Sequence, residues 1–340
     1  MQVERRTLLA GAAALMMTPA SVQARSRDYA AAADYSAQRR GISFLVQQGD
    51  RILFEDYPGG RADRTHELAS GTKSFSGVLA AAMVQDGLLA LDEPCADTLS
   101  EWSADPARRT ATIRSLLNLS SGVGGGSLGR PSTYAASVAQ PFAGAPGVFR
   151  YGPAPFQVFG EIVRRKLAAA GRSDDVLAFM NERLFQPAGV THGPWRRQAG
   201  QPNLPSGARF DARNWARFGA FVQGGGRIHG RAIVDGTALA DCFRPTPANP
   251  GYGLTWWLLR PGLVPPDPRS PIDASAAALA GLPTVTMAAG AGDQRLYLIP
   301  DHDLVVVRQA TGILAGRRRG GPVWSDADFL RLVLGAPRRD

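Results

Sequence analysis

The chain has 340 residues, 44% of them hydrophobic, which is enough for one large domain or two lobes around a sizeable core. Its formal net charge of +9 comes with short arginine clusters (Arg39-Arg40, Arg108-Arg109, Arg196-Arg197 and Arg317-Arg318-Arg319). No Cys/His finger and no basic helix with interleaved aromatic residues accompanies them, so the charge reads as solubility and affinity for anionic envelope surfaces, not as a nucleic-acid module.

The first segment in the chain reads as a targeting signal. Glu4-Arg5-Arg6-Thr7-Leu8-Leu9 gives paired arginines before an apolar run from Leu8 to Met17, and Val22-Gln23-Ala24 is a small-residue cleavage site. Together they look like a twin-arginine export signal spanning residues 1–24, which predicts a periplasmic or secreted protein. The run is too short to span a bilayer, and no later stretch is apolar enough, so no stable membrane insertion is expected after cleavage. An exported chain with two cysteines, Cys95 and Cys242, permits one disulfide, and two buried thiols fit nearly as well. His66, His192, His229 and His302 are scattered without ligand spacing, so no zinc site and no other cofactor is expected. Gly122-Val123-Gly124-Gly125-Gly126 follows a helix instead of a strand and lacks a trailing Lys-Ser/Thr, so it is not a phosphate loop.

Residues 25–40 read as a polar helix. Ile42–Gln48 and Arg51–Tyr57, joined by Gly49-Asp50, form a β-hairpin. Ser70 opens an alanine-rich helix running to about Gln85, with Val78, Leu79, Ala82 and Met83 as its buried stripe. A short helix at Ala111–Leu117 is capped by Thr110 or Thr112. Helices at Pro155–Ala170, Asp174–Leu184 and Ala208–Gln223 fill the middle of the chain, with at most a short one at Leu239–Phe243. Strands return at Tyr252–Leu259, Thr284–Ala289, Gln294–Ile299 and Leu304–Val307, and a closing helix over Val323–Leu334 takes Ser325 as its N-cap. This order predicts an α+β fold over residues 25–340. An antiparallel sheet comes from both chain ends (about 25–68 and 252–340), flanked by helices, with a large, mostly helical insertion at about 69–251.

Ser70-Gly71-Thr72-Lys73 carries the chemistry. Positions three apart on a helix share a face, so Lys73 can bring its amine to the Ser70 hydroxyl. A serine needs an adjacent base to be nucleophilic at neutral pH, and a lysine serves only if burial or a nearby cation lowers its pKa. Free backbone N–H groups of a first helical turn can also stabilise an oxyanion.

Around that motif the chain resembles the serine hydrolases related to class C β-lactamases and penicillin-binding proteins, which include D-aminopeptidases, family VIII esterases and 6-aminohexanoate-dimer hydrolases. The resemblance covers nearly all of residues 25–340, in the family's order. It rests on the hairpin Ile42–Tyr57, on Ser70-Gly-Thr-Lys73, and on Leu116-Leu117-Asn118-Leu119-Ser120-Ser121-Gly122. Phe149-Arg150-Tyr151 and Gln294–Pro300 followed by Asp303–Val306 complete it. It implies a β-lactamase/transpeptidase-like fold, with Ser70 as nucleophile and Lys73 with Tyr151 as a general base and acid pair. It also implies an oxyanion hole from the backbone N–H groups of Ser70 and Ala291, with Gly290 on the facing strand. Gln294 either faces the cleft as a substrate contact or satisfies a loop. His66 is not needed once Lys73 is present. Trp256 and Trp257 are read as core and surface members of one strand.

The chain departs from the family at two places. Tyr151-Gly152-Pro153 stands where Tyr-x-Asn is usual, and Ala288-Ala289-Gly290 where Lys-Thr-Gly or His-x-Gly is usual. The first loses a side-chain amide and the second a carboxylate-binding cation. Both point away from an efficient β-lactamase, toward a carboxylesterase or amidase acting on a small-molecule ester or amide, without nucleic-acid partners. The alternatives are a β-lactamase or D,D-peptidase acting on β-lactams or cell-wall peptides, and a non-catalytic envelope binding protein using the same pocket.

Overall fold

The computed structural model describes residues 29–124, 130–268, 270–313 and 322–335. The twin-arginine segment, the Arg317-Arg318-Arg319 cluster and part of the glycine-rich loop after Gly124 lie outside the described residues.

Six strands form one sheet: β1 (Gly41–Gln48), β2 (Arg51–Asp56), β3 (Trp257–Leu258), β4 (Thr286–Gly290), β5 (Gln294–Ile299) and β6 (Leu304–Ala310), in the spatial order β2-β1-β6-β5-β4-β3. Every pairing is antiparallel. The two chain ends meet at the centre, where β1 runs beside β6 from Gly41 opposite Ala310 to Gln48 opposite Leu304. All residues of β5 and β6 are buried, as expected for strands covered on both faces. One cover is α1 (Tyr29–Ala37) with α5 (Asp326–Leu334), held through Phe329 against Phe44 at 5.3 Å between ring centroids. The other is α4 (Ala212–Gln223), capped by Asp211, whose carboxylate accepts from the Asn214 N–H at 2.8 Å. At Gly219 a Cβ would come within 2.7 Å of Leu296 Cδ1 and Val305 Cγ1, so glycine sets how closely this helix lies on the sheet.

The insertion is mostly helical, with short two-residue strand pairs between its helices. Its central member, α2 (Ser74–Gln85), is buried continuously from Ser74 to Met83 and is apolar all round, the mark of a core helix. Phe75 fixes its start by stacking on Phe210 at 5.0 Å and meeting Phe218 at 4.5 Å. Behind it runs α3 (Ala154–Ala169).

Elements differ from the sequence reading at several places, among them an unexpected helix at Tyr134–Ala139 and the expected Asp174–Leu184 helix, which is α-helical only over Val176–Met180; three further differences bear on the site. Ser70 sits not in an α-helix but in a five-residue 3₁₀ turn, Ala69–Lys73, that feeds α2. The third middle helix starts at Ala212, because Arg209-Phe210 pairs with His66-Glu67 before the Asp211 cap. Of the run Tyr252–Leu259 only Trp257-Leu258 is a named strand. Thr255 lies at φ 72°, and its N–H donates to Leu117 O at 3.2 Å across the lobes, so the first half of the run is a tight turn. Cys95 and Cys242 are both buried free thiols, which selects the second of the two expectations.

Candidate active site

A 3₁₀ turn has three residues per turn, so side chains at i and i+3 eclipse one another more closely than on an α-helix. That geometry sets Lys73 Nζ 3.0 Å from Ser70 Oγ. The residue before the serine, Ala69, is held at φ 46°, a left-handed conformation that costs a non-glycine residue about 1–2 kcal/mol. It is fixed by its own carbonyl, which accepts from Thr72 Oγ1 at 2.7 Å, and by the neighbouring Leu68 N–H, which donates to Ala208 O at 3.0 Å. The sharp bend leaves Ser70 partly exposed while Lys73 is only 2% exposed.

Lys73 lies under aromatic rings, 5.0 Å from the centroid of Tyr151 and 5.3 Å from that of Phe156. Its only other polar contact among the described residues is the main-chain carbonyl of Pro205, 2.9 Å away. Loss of hydration lowers its pKa to about 7. A neutral amine that donates one N–H to Pro205 O still carries a lone pair able to accept a proton. Pro205 was not legible in the sequence as a site residue. It lies 132 positions from Lys73, and its contribution is a carbonyl that every residue carries.

Tyr151 shifts the opposite way. Burial raises its pKa to about 12, against the pull of a hydrogen bond with Ser70 and the charge of Arg295. Its ring packs on Trp257 at 5.6 Å, and Trp257 meets Tyr252 at 4.7 Å. Trp256 and Trp257 are both buried, at 0% and 2% exposure, so the assignment of one to the surface is corrected: the turn at Thr255 folds both inward, and Trp257 is a wall of the site. The structure therefore brings Ser70, Lys73 and Tyr151 together, with the lysine tuned down and the tyrosine up. At neutral pH such a pair offers an amine base and a phenol acid.

The end of β4 faces this turn. A Cβ on Gly290 would lie 2.1 Å from Leu68 O and 3.1 Å from Gly71 N, so only glycine lets the strand touch the serine turn. Ala291 follows it, exposed, and its N–H has no partner among the described residues. Gln294 does not face the cleft. It is 0% exposed, and its amide donates to Ala310 O at 2.7 Å and Gly292 O at 3.1 Å and accepts from the Ala310 N–H at 3.1 Å. The low-exposure amide is fully used in tying the β4–β5 turn to β6, which corrects its candidacy as a substrate contact. His66 likewise turns away: its Nε2 lies 2.8 Å from Ala310 O. Among the described residues no cluster of His, Cys, Asp and Glu could hold a metal ion.

The six-stranded sheet with flanking helices is the β-lactamase/transpeptidase-like fold, and the chain belongs to the β-lactamase family, whose model matches residues 26–317. Solved structures agree on the fold. A candidate β-lactamase from Bacteroides dorei superposes with a TM-score of 0.70 at 18% identity, covering 92% of this chain and 99% of that one. EstCE1, a hydrolase with promiscuous acyltransferase activity, gives a TM-score of 0.67 at 15% identity, covering 90% of this chain and 96% of the other. A penicillin-binding-protein homologue from Caulobacter crescentus gives 0.64 at 16% identity, covering 90% and 95%. No curated protein is significantly similar in sequence.

Proposed function

We propose that the protein is a serine hydrolase that cleaves a small ester or amide through an acyl-enzyme on Ser70. The observation that carries the reading is Lys73, a buried amine with its pKa lowered to about 7 and its Nζ 3.0 Å from Ser70 Oγ. In this reading Lys73 takes the Ser70 proton as Oγ attacks the carbonyl carbon. The oxyanion is met by the N–H groups of Ser70 and Ala291. Tyr151 hands a proton to the departing alkoxide or amine. Water, activated by the same pair, then attacks the acyl carbon and releases the acid. The free N–H of Ala291 and the contact of Gly290 with the nucleophile turn support the second oxyanion donor.

An ester or amide is favoured over a β-lactam. Pro153 supplies no side-chain amide and Ala288-Ala289-Gly290 no cation at the strand edge, whereas the Ser70, Lys73 and Tyr151 machinery is intact. The paired arginines and cleavage site of residues 1–24 support export to the periplasm or beyond.

The test is turnover of a short-chain p-nitrophenyl ester, a linear aminohexanoate amide and a chromogenic cephalosporin, with Ser70→Ala as control. Ester or amide turnover should be abolished in Ser70→Ala and should exceed cephalosporin turnover. Undiminished ester turnover in Ser70→Ala refutes the mechanism, and dominant cephalosporin turnover refutes the substrate class. Absence of both turnover and fluorophosphonate labelling at Ser70 would make the protein a binding protein.

A further inference from the structure

The strand edge that faces Ser70 lacks a side-chain cation, yet a cation stands directly behind it. Arg295, on β5, is 2% exposed. Its Nε donates to Asp326 Oδ1 at 2.7 Å and its Nη2 to Asp326 Oδ2 at 3.3 Å, a two-point grip that fixes the plane of the guanidinium. Asp326, at the start of α5, is held in turn by Tyr297 OH at 2.5 Å and Trp324 Nε1 at 2.9 Å. The remaining nitrogen, Nη1, donates to Gly290 O at 3.2 Å and Gln294 O at 3.1 Å.

Gly290 O belongs to the peptide that joins Gly290 to Ala291. In a trans peptide the C=O and N–H point in opposite directions. A guanidinium that captures the carbonyl from behind the strand therefore turns the Ala291 N–H away from itself, out of the strand edge. Drawing electron density toward the carbonyl also makes that N–H a stronger donor. We propose that Arg295, oriented by Asp326, is a positioning residue of the oxyanion site: it sets the Gly290–Ala291 peptide so that the Ala291 N–H is presented to the substrate oxygen. The cation missing from the front of the strand is thus replaced, in a different role, by one behind it. The inference rests on the hydrolase reading for its catalytic consequence, but the orientation of the peptide can be measured without it.

The experiment uses the Arg295→Met/Asp326→Asn double variant, which removes both charges together and leaves an oxygen at 326 for Tyr297 and Trp324. Arg295→Lys is the conservative partner, keeping a donor and a charge without the two-point grip. Each is crystallised and assayed with a p-nitrophenyl ester and its thiono analogue, whose C=S sulfur is a poor hydrogen-bond acceptor, so the rate ratio of the two esters reads the oxyanion donors. We expect a rotated Gly290–Ala291 peptide in the double variant, kcat lower by about 30-fold or more with KM within about threefold, and an oxo-to-thiono rate ratio that falls about tenfold. Arg295→Lys should fall between it and the wild type. A folded double variant with the peptide unmoved and the ratio unchanged overturns the proposal, and should it not fold, Arg295→Lys with both readouts at wild-type values overturns it equally. A wild type that turns over neither ester while the variant peptide rotates leaves the clamp standing and removes the hydrolase reading instead.

Discussion

Two of the buried cations among the described residues, Lys73 and Arg295, lie on opposite sides of one strand end, and they are held in opposite ways. Lys73 has aromatic rings, a hydroxyl and one carbonyl around it and no carboxylate among the described residues, and desolvation brings its pKa to about 7. Arg295 is equally buried, but it faces Asp326. Burial alone would lower its pKa, yet the charges of Asp326 and its neighbours outweigh that and hold it permanently protonated. Burial thus produces a base at one position and a fixed strut at the other, and the difference is the counter-ion. Lys73 is costly to the fold and chemically useful. Arg295 is a fully partnered group whose removal, not its presence, is expensive.

The comparison can be broken most forcefully at Lys73. Lys73→Met should reduce kcat/KM for the ester by about a thousandfold or more, as loss of a base that acts as a unit with its nucleophile does, while the melting temperature holds or rises. A fall in both activity and melting temperature would mean that the lysine is structural. At the other cation, Asp326→Ala leaves the Arg295 guanidinium unpaired and should destabilise the protein by about 3–5 kcal/mol in chemical denaturation. A change below about 1 kcal/mol would show the pair to be less desolvated than it looks.

The pH dependence separates the two cations as well. Lys73 has a folded pKa near 7, below its usual 10.5. Across that window the unfolded chain binds the extra proton, so stability should rise with pH by up to about 1.4 kcal/mol per unit, and the rise should vanish in Lys73→Met. In the wild type kcat/KM should climb with pH through an apparent pKa near 7 and show no alkaline fall before the Tyr151 phenol, near 12, ionises. An acid limb centred near 4 to 5 would transfer the role of base to a carboxylate. The smallest expected effect is at Gln294, where Gln294→Ala should cost about 1–3 kcal/mol of stability and leave KM unchanged, because its amide serves the turn and β6.

Much of this arrangement was legible in the sequence, and what was missed has a common physical cause. The hairpins of β1–β2 and β5–β6 declare themselves by strand-favouring runs separated by turn residues, and Ser70 and Lys73 by a spacing that any helical turn makes adjacent. Local chemistry of that sort survives in a linear reading. The Pro205 carbonyl could not be seen, because a backbone acceptor carries no residue-type signal. Arg295 and Asp326 are ordinary residues in a chain with 38 Lys and Arg, and only folding makes them a pair. Trp257 was misplaced because Tyr252–Leu259 has the composition of a strand, whereas the left-handed Thr255 and the cross-lobe bond to Leu117 bend it into a turn.

The central pairing of β1 with β6 has a consequence for the protein's life before it is folded. While a ribosome is still adding the residues after Gly290, β4 has been made, but β5, β6 and Asp326, which complete the sheet behind it, have not. A nascent chain of that length carries Ser70, Lys73 and Tyr151 without the strands that hold β4 in the sheet. Long-range closure of this kind slows folding, since distant segments must meet before they are stabilised. The candidate site is consequently among the last parts of the molecule to be completed.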